Sequence, residues 1–309
     1  MSETPILRLG TRTSPLAMAQ AVETRNRLCA AHGWDEEAVE LVPVVASGDK
    51  IQDRPLAEIG GKALWTKELD AWLGEGRIDA AVHSMKDVET FRPEALHIAA
   101  ILPREDKRDV LVGAAGIEDI PKGAKVGTSA PRRAAQMLSL RPDVEVVTFR
   151  GNVATRLGKL EAGEADVTLL AAAGLKRLGE LDIGSPLELD EWLPAAAQGA
   201  IGIECRADDA GARALLSPID HAPSRAEIMA ERALLAGLNG TCHSPIAVLA
   251  EAMGNRLSIR ATLYSPDGTD KVAGEGELAL ADYAAIERLA ADLLDRASPA
   301  IRTVFGGAA

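Results

Sequence analysis

The sequence predicts an α/β protein of more than one domain, built on parallel sheets with helices on their faces. Three observations carry this expectation. Residues 78–82 (IDAAV) form a short apolar run that ends in a compact polar set, His83, Ser84, Met85, Lys86 and Asp87. Runs of this kind mark strands buried in a parallel sheet, and ligands of open α/β sheets lie beyond the carboxyl ends of such strands. Such runs alternate with helical stretches over the first two-thirds of the chain, the pattern of βαβ units. Finally, 309 residues are too many for one comfortable core and suit two or three domains.

In chain order, residues 6–11 read as a first strand. Ser14 then caps a helix over 16–31, with Pro15 at its first position. A second strand covers 41–46, and 47–61 is a polar stretch without periodicity, a candidate mobile loop. A helix over 63–73 leads into the strand at 78. The charged segment 103–108 (PREDKR) is a plausible border, after which the pattern restarts. Strands are expected at 109–113, 124–128, 145–149 and 167–171, and helices at 131–140, 153–162 and 175–178. Gly10-Thr11 before Pro15 is echoed by Gly127-Thr128 before Pro131, as two domains of similar topology would give. Segments 193–199 and 217–224 are further breaks. From 226 the texture changes to a helix, a turn around Cys242, alternating strands at 247–252, 257–264 and 271–280, and a closing helix over 283–297. That part reads as a small α+β domain, with Ser265-Pro266-Asp267-Gly268 as a hairpin turn.

Composition excludes several functions. Aromatic residues make up 3% of the chain and the net charge is -12, which argues against base stacking and phosphate-backbone binding. No apolar stretch is long enough to span a membrane, and the N-terminus does not read as a signal peptide. Cys29, Cys205 and Cys242 are widely spaced and form neither a disulfide framework nor a zinc motif. A cytoplasmic protein with reduced thiols, and by default a monomer, is expected.

Five arginines are informative by position. Arg12 lies at the mouth of the first helix, Arg132 and Arg133 in the first turn of the 131–140 helix, and Arg150 and Arg156 flank the start of the next. Helix N-termini are already electropositive, so cations gathered there suggest an anion held among them. Any one of them is better explained by pairing with a protein carboxylate such as Glu161 or Asp166. All five together favour a polyanionic ligand. Gly60-Gly61-Lys62 lacks the phosphate-loop spacing and suits a loop that brings Lys62 to an anion. Cys242 sits in a polar turn beside Thr241 and His243, where a buried inert thiol has little to pack against. Cys205 and Cys29 fit the inert reading.

Several motifs resemble the hydroxymethylbilane synthase (porphobilinogen deaminase) family. They are GTRTSPLAMAQ at 10–20, GGKALWTKEL at 60–69, VHSMKDV at 82–88, FRGNVATRL at 149–157, AAAGLKRLG at 171–179 and AAQGAIGIECR at 196–206. The resemblance implies two periplasmic-binding-protein-like α/β domains plus a small α+β C-terminal domain. It places a discontinuous first domain at 1–102 and 198–218, a second at 103–197 and a third at 219–309. It implies head-to-tail condensation of four porphobilinogen molecules with loss of ammonia, in porphyrin and heme biosynthesis. The implied cofactor is a dipyrromethane in thioether linkage to Cys242, with no metal. Around it the resemblance places Lys86, Asp87, Thr128, Ser129, Arg132, Arg133, Arg150 and Gly151. Arg12, Ser14, Lys62, Arg150, Arg156, Arg177 and Gln198 are implied substrate contacts, and Asp87 the catalytic carboxylate. The acetate and propionate of each pyrrole make the growing chain polyanionic, which suits the arginines.

Departures from the family pattern concentrate in two places. Gly240-Thr241 stands where two glycines are usual before the cysteine, and His243-Ser244 follow it. Ala130-Pro131 stands where Ser-Leu is usual. Two other readings compete: a non-enzymatic binding protein for a small polyanion, and a cysteine-nucleophile transferase without a prosthetic group. The intact mass of the protein separates all three.

Overall fold

The computed structural model describes residues 5–45 and 66–305. The expected loop over 47–61 and Lys62 lie outside the described residues. The described chain divides into two compact units. Residues 5–45, 66–105 and 199–225 form the first, and 106–198 with 226–305 the second. This division is coarser than three domains, because it groups the C-terminal region with 106–198.

Strand β1 (Leu7–Arg12) runs through a tight turn into helix α1 (Pro15–His32). Ser14 Oγ accepts the Ala17 N–H at 3.3 Å, and Pro15 occupies a position whose missing N–H costs the helix nothing. Strand β2 (Val39–Val44), helix α2 (Lys67–Gly74) and strand β3 (Ala80–Ser84) follow. A single 3-10 turn, Met85–Asp87, then leads towards β4 (Leu96–Ile101).

The chain next builds the second unit's α/β part. Its elements are β5 (Asp109–Val112), β6 (Lys125–Gly127), α3 (Pro131–Leu140), β7 (Glu145–Val147), α4 (Val153–Glu161), β8 (Val167–Ala171), α5 (Ala172–Leu178) and β9 (Ser185–Pro186). It returns to the first unit as β10 (Ile201–Arg206) and α6 (Ala210–Leu216). Helix α7 (Ala222–Gly237) leads into β11 (Ile246–Met253), β12 (Arg256–Tyr264), β13 (Lys271–Ala279), α8 (Tyr283–Arg296) and α9 (Pro299–Arg302).

The expectation of parallel sheets needs correction, because both large sheets are mixed. The first has the order β2-β1-β3-β10-β4, and the second β7-β6-β8-β5-β9. In the first, β1 is parallel to β2 and β3, whereas β10 is antiparallel to β3 and β4. In the second, β6 is parallel to β7 and β8, and β5 runs antiparallel to β8. Strand β10 arrives from the second unit and not through a crossover helix, so nothing constrains it to run parallel to β3. The two orders match strand for strand. The Gly-Thr-to-Pro echo falls on β1→α1 in one sheet and β6→α3 in the other, with both prolines in the first helical turn. The repeated motif therefore reflects a repeated topology.

With few aromatics, the cores are aliphatic. Leu7, Leu9, Leu28, Val82, Ile201 and Ile203 pack in the first unit. Leu111, Val126, Met137, Leu169 and the fully buried Trp192 pack in the second. In the C-terminal region the antiparallel β11-β12-β13 sheet buries Val248, Ile259 and Leu263 against Leu234 of α7 and Ile286 of α8.

This C-terminal sheet is joined to α3. Tyr264 donates to Gln136 Oε1 at 3.3 Å, and the hairpin after β12 lies against the helix. Gly268 has φ +72, and a Cβ there would lie 2.4 Å from the Ala135 carbonyl oxygen and 2.7 Å from Ser139 N. Gly268→Ala is expected to cost about 1–3 kcal/mol in urea unfolding, from backbone strain plus the clash. Gly254→Ala, at φ +64 with open space around it, carries only the conformational share, about 1 kcal/mol. Equal stability of the two variants would show that this contact does not matter.

Candidate functional site

In the first unit, the parallel pairing of β1 with β3 brings their carboxyl ends to one edge. The end of β1 contributes Arg12 and the turn after it Ser14, and the end of β3 and the 3-10 turn after it contribute Ser84 and Asp87. These four line one cavity together with Gln20 and Thr66. Gln20 donates to Ser84 Oγ at 2.8 Å, and Ser84 Oγ donates back to Gln20 Oε1 at 3.1 Å. Asp87 is half-buried and ends a turn whose Met85 N–H donates to the Ala200 carbonyl at 3.0 Å. Lys86 is half-buried on the same turn but outside the cavity lining. The arrangement offers one carboxylate beside an arginine and three hydroxyls, a set suited to a ligand carrying both anionic groups and N–H donors.

In the second unit the organising group is Asp109, at the start of β5 and fully buried. Arg132 Nη2 donates to its Oδ2 at 2.7 Å, and Arg133 Nη2 to its Oδ1 at 2.7 Å. Trp192 Nε1 donates to Oδ2 at 2.8 Å, and Gln198 Nε2 to Oδ1 at 2.9 Å. Arg132 also reaches the Leu193 carbonyl at 2.9 Å, and Arg133 the Leu169 carbonyl at 2.8 Å. Protein carboxylate thus claims both arginines, but the partner is Asp109, not Glu161 or Asp166.

Two guanidiniums on one carboxylate leave a surplus positive charge in a buried place, and Arg132 Nε is buried there without a hydrogen-bond partner. Burial alone would raise the Asp109 pKa, yet Arg132 and Arg133 hold it well below the usual carboxylate range. Burial, partly offset by Asp109, pulls Arg132 down from its ordinary value.

The remaining expected residues of this unit sit at the starts of α3 and α4 and in α5. Thr128 is buried after β6, and Ser129 donates to the Phe149 carbonyl at 2.7 Å. Arg150 is buried before α4, and Arg156 Nε donates to the Gly151 carbonyl at 3.1 Å. Arg177 is half-buried in the last turn of α5.

Cys242 is exposed, whereas Cys205 is buried and Cys29 half-buried. Burial pushes the Cys205 thiol up to about 11 and raises that of Cys29, so both are poor nucleophiles. The departures near Cys242 build its turn. Thr241 N–H donates to Ser244 Oγ at 3.0 Å, and His243 N–H to Thr241 Oγ1 at 3.2 Å. At the other departure, Pro131 opens α3, and Ala130 N–H donates to Thr128 Oγ1 at 3.2 Å. Among the described residues no cluster of His, Cys, Asp and Glu is arranged to hold a metal ion.

Two family models match the chain: "Porphobilinogen deaminase, dipyromethane cofactor binding domain" over residues 7–214, and "Porphobilinogen deaminase, C-terminal domain" over residues 225–294. The chain belongs to the porphobilinogen deaminase family. Porphobilinogen deaminase of Sphingopyxis alaskensis is 56% identical over 97% of this chain and 96% of its own length. That of Paracoccus denitrificans is 51% identical over 95% of each. That of Nitrobacter winogradskyi is 49% identical over 99% of this chain and 98% of its own. Among solved structures, the periplasmic VFT2 domain of Bordetella pertussis BvgS aligns at a TM-score of 0.39 and 17% identity, over 69% of this chain and 86% of that one. A likeness at that level carries no inference about ligands.

Sequence reasoning missed the groups that hold the site. Asp109 read only as the first residue of a strand, and Trp192 was not singled out. A strand that opens with a carboxylate 23 residues before an Arg-Arg pair is a usable signal only once the sheet order is known. Asp109→Asn is expected to cost about 3–5 kcal/mol, because it strands two buried guanidiniums. The sign with pH follows from the lowered pKa. The Asp109 contribution is full above the ordinary value of 3.8 and fades as pH falls towards the depressed one. Chemical denaturation of wild type and variant between pH 7 and 2 checks both, and a variant as stable as wild type at pH 7 would remove Asp109 from this role.

Proposed function

We propose that this chain is a hydroxymethylbilane synthase, joining four porphobilinogen molecules head to tail with release of ammonia and then releasing hydroxymethylbilane by hydrolysis. One observation carries the reading: the family match spans both the cofactor-binding and the C-terminal regions. The exposure of Cys242, alone among the three thiols, supports it further.

The residues present fit a dipyrromethane. A thiol must be reachable to carry it, and Cys242 is. Its carboxylates need cationic donors, and the surplus charge at Arg132 and Arg133 with the unpartnered Arg132 Nε supplies them. When bound, the group supplies a nucleophilic pyrrole carbon for condensation. Thr128, Ser129, Arg150 and Gly151, together with Lys86 and Asp87, complete the proposed holding set.

Asp87 has the central chemical role. Its carboxylate accepts pyrrole N–H groups and offsets the positive charge that develops on the substrate as its C–N bond breaks and ammonia departs. Arg12, Ser14, Arg150, Arg156 and Arg177, with Lys62, bind acetate and propionate groups as the chain lengthens, whereas both amide hydrogens of the buried Gln198 go to Asp109 and the Lys107 carbonyl. Charge-assisted contacts of this type contribute roughly 1.5–3 kcal/mol each. Ser84 and Gln20 hold each other beside Asp87 and keep that wall of the cavity polar.

The reading includes three domains, 1–102 with 198–218, 103–197 and 219–309, and a cytoplasmic monomer. The odd, dispersed cysteines support that location. No described helix is long and apolar enough to cross a membrane.

Intact-mass measurement of the purified protein is expected to show an excess equal to two linked pyrroles, and peptide mapping to place it on Cys242. Cys242→Ala is expected to fold, carry no adduct and form no product. An unmodified yet active wild type would overturn the cofactor assignment. An ion pair at about 4 Å in an effective dielectric near 20 is worth roughly 4 kcal/mol. Asp87→Asn is therefore expected to keep the adduct and to lower turnover by about a hundredfold or more. Near-normal turnover in that variant would exclude Asp87 as the catalytic carboxylate.

A further inference from the structure

Glu204 lies in the middle of β10, inside an otherwise apolar run, and is fully buried. A buried carboxylate on a central strand requires partners, and its partners come from two places that flank Asp87 in the chain. On one side, His83 Nε2 lies 3.2 Å from Glu204 Oε2, close to it but outside hydrogen-bond geometry. On the other, Arg92 grips both oxygens, with Nε to Oε1 at 3.0 Å and Nη2 to Oε2 at 2.8 Å. The segment from His83 to Arg92 is thus closed at its neck on one carboxylate, and it carries Asp87 within it.

Arg92 does more than close the neck. Its Nη2 also donates to Asp70 of α2 at 2.6 Å, and its Nη1 to Glu89 at 2.6 Å and to Thr66 Oγ1 at 3.3 Å. Thr66 donates in turn to Glu89 at 3.0 Å. One guanidinium therefore ties α2, β10 and the segment after Asp87 together. Thr66 and His83 of this cluster line the same cavity as Asp87. Although burial would raise its pKa, His83 and Arg92 hold Glu204 down to about 2, so it stays ionised.

We propose that Arg92 and Glu204 are positioning residues for Asp87, a clamp that holds the Met85–Asp87 turn in the orientation its chemistry requires. The proposal rests on the catalytic reading of Asp87 given above. Neither residue touches the cavity's reacting groups, and both act through the backbone that carries Asp87. Misplacing a reacting group by about 1 Å can cost a hundredfold in rate, so the clamp should show in turnover more than in substrate binding.

The test uses the cofactor-bearing protein. Arg92→Leu is expected to keep the adduct mass, lower kcat about tenfold or more with KM within about twofold, and speed amide exchange in a Met85–Val88 peptide about tenfold. Arg92→Lys keeps the charge without the planar fork and is expected to fall between that variant and wild type. If Arg92→Leu does not fold, the Lys variant carries the same two readouts. Wild-type kcat together with wild-type exchange at Met85–Val88 would overturn the proposal. So would a uniform loss of melting temperature with unchanged kcat per folded molecule, which is the mark of a merely structural residue. Asp87→Asn, measured alongside, separates the two ideas. If it is fully active, the catalytic reading fails, while amide exchange still decides whether Arg92 holds the turn.

Discussion

The second unit depends on the burial of the Asp109 carboxylate among Arg132, Arg133, Trp192 and Gln198. Two arginines could not be placed in the first turn of α3, against the positive end of its dipole and away from water, without a compensating anion. Asp109 supplies one charge against their two. That surplus is what the proposed reading uses to hold a carboxylate of the cofactor. The same carboxylate also reaches Gln198, the last residue before the chain returns to the first unit. Charge neutralisation, helix placement and chain routing thus meet at one side chain.

The first unit repeats this solution with other residues. Each large sheet has one antiparallel strand beside its parallel trio, and each of those strands carries a fully buried carboxylate: Asp109 on β5 and Glu204 on β10. Each carboxylate binds arginine, and each lies near residues of the proposed site. Buried ion pairs add little net stability over apolar packing, since desolvation cancels most of the Coulomb gain. Their use here is consistent with orientation and not strength. They fix which way guanidiniums and turns face in cores otherwise made of small aliphatic side chains, which pack densely but direct nothing.

The Cys242 turn shows how local substitution is absorbed. In this chain Thr241 and Ser244 close the turn by hydrogen bonds, while Asn239 adopts φ 50 before it. The thiol remains exposed. The chemistry needs a reachable sulfur on a short turn, and more than one set of neighbours provides that.

Local patterns settled much in advance. The helix over 131–140 and the strand over 167–171 were legible from apolar periodicity and from Pro131, because those signals arise from neighbours in the chain. The arginines at helix starts, the exposed character of Cys242's surroundings and the polar end of β3 were legible for the same reason, and the motifs they form identified the family. What the sequence left open was direction and partnership. Strand β10 read as an apolar run, and its antiparallel insertion between β3 and β4 follows only from the chain's return after 106–198. Arg132 and Arg133 looked like ligand groups, and nothing in the sequence marked Arg92. That Asp109 and Glu204 claim them is a property of the assembled sheets, because a buried charge finds its partner across space, at separations no sequence periodicity encodes.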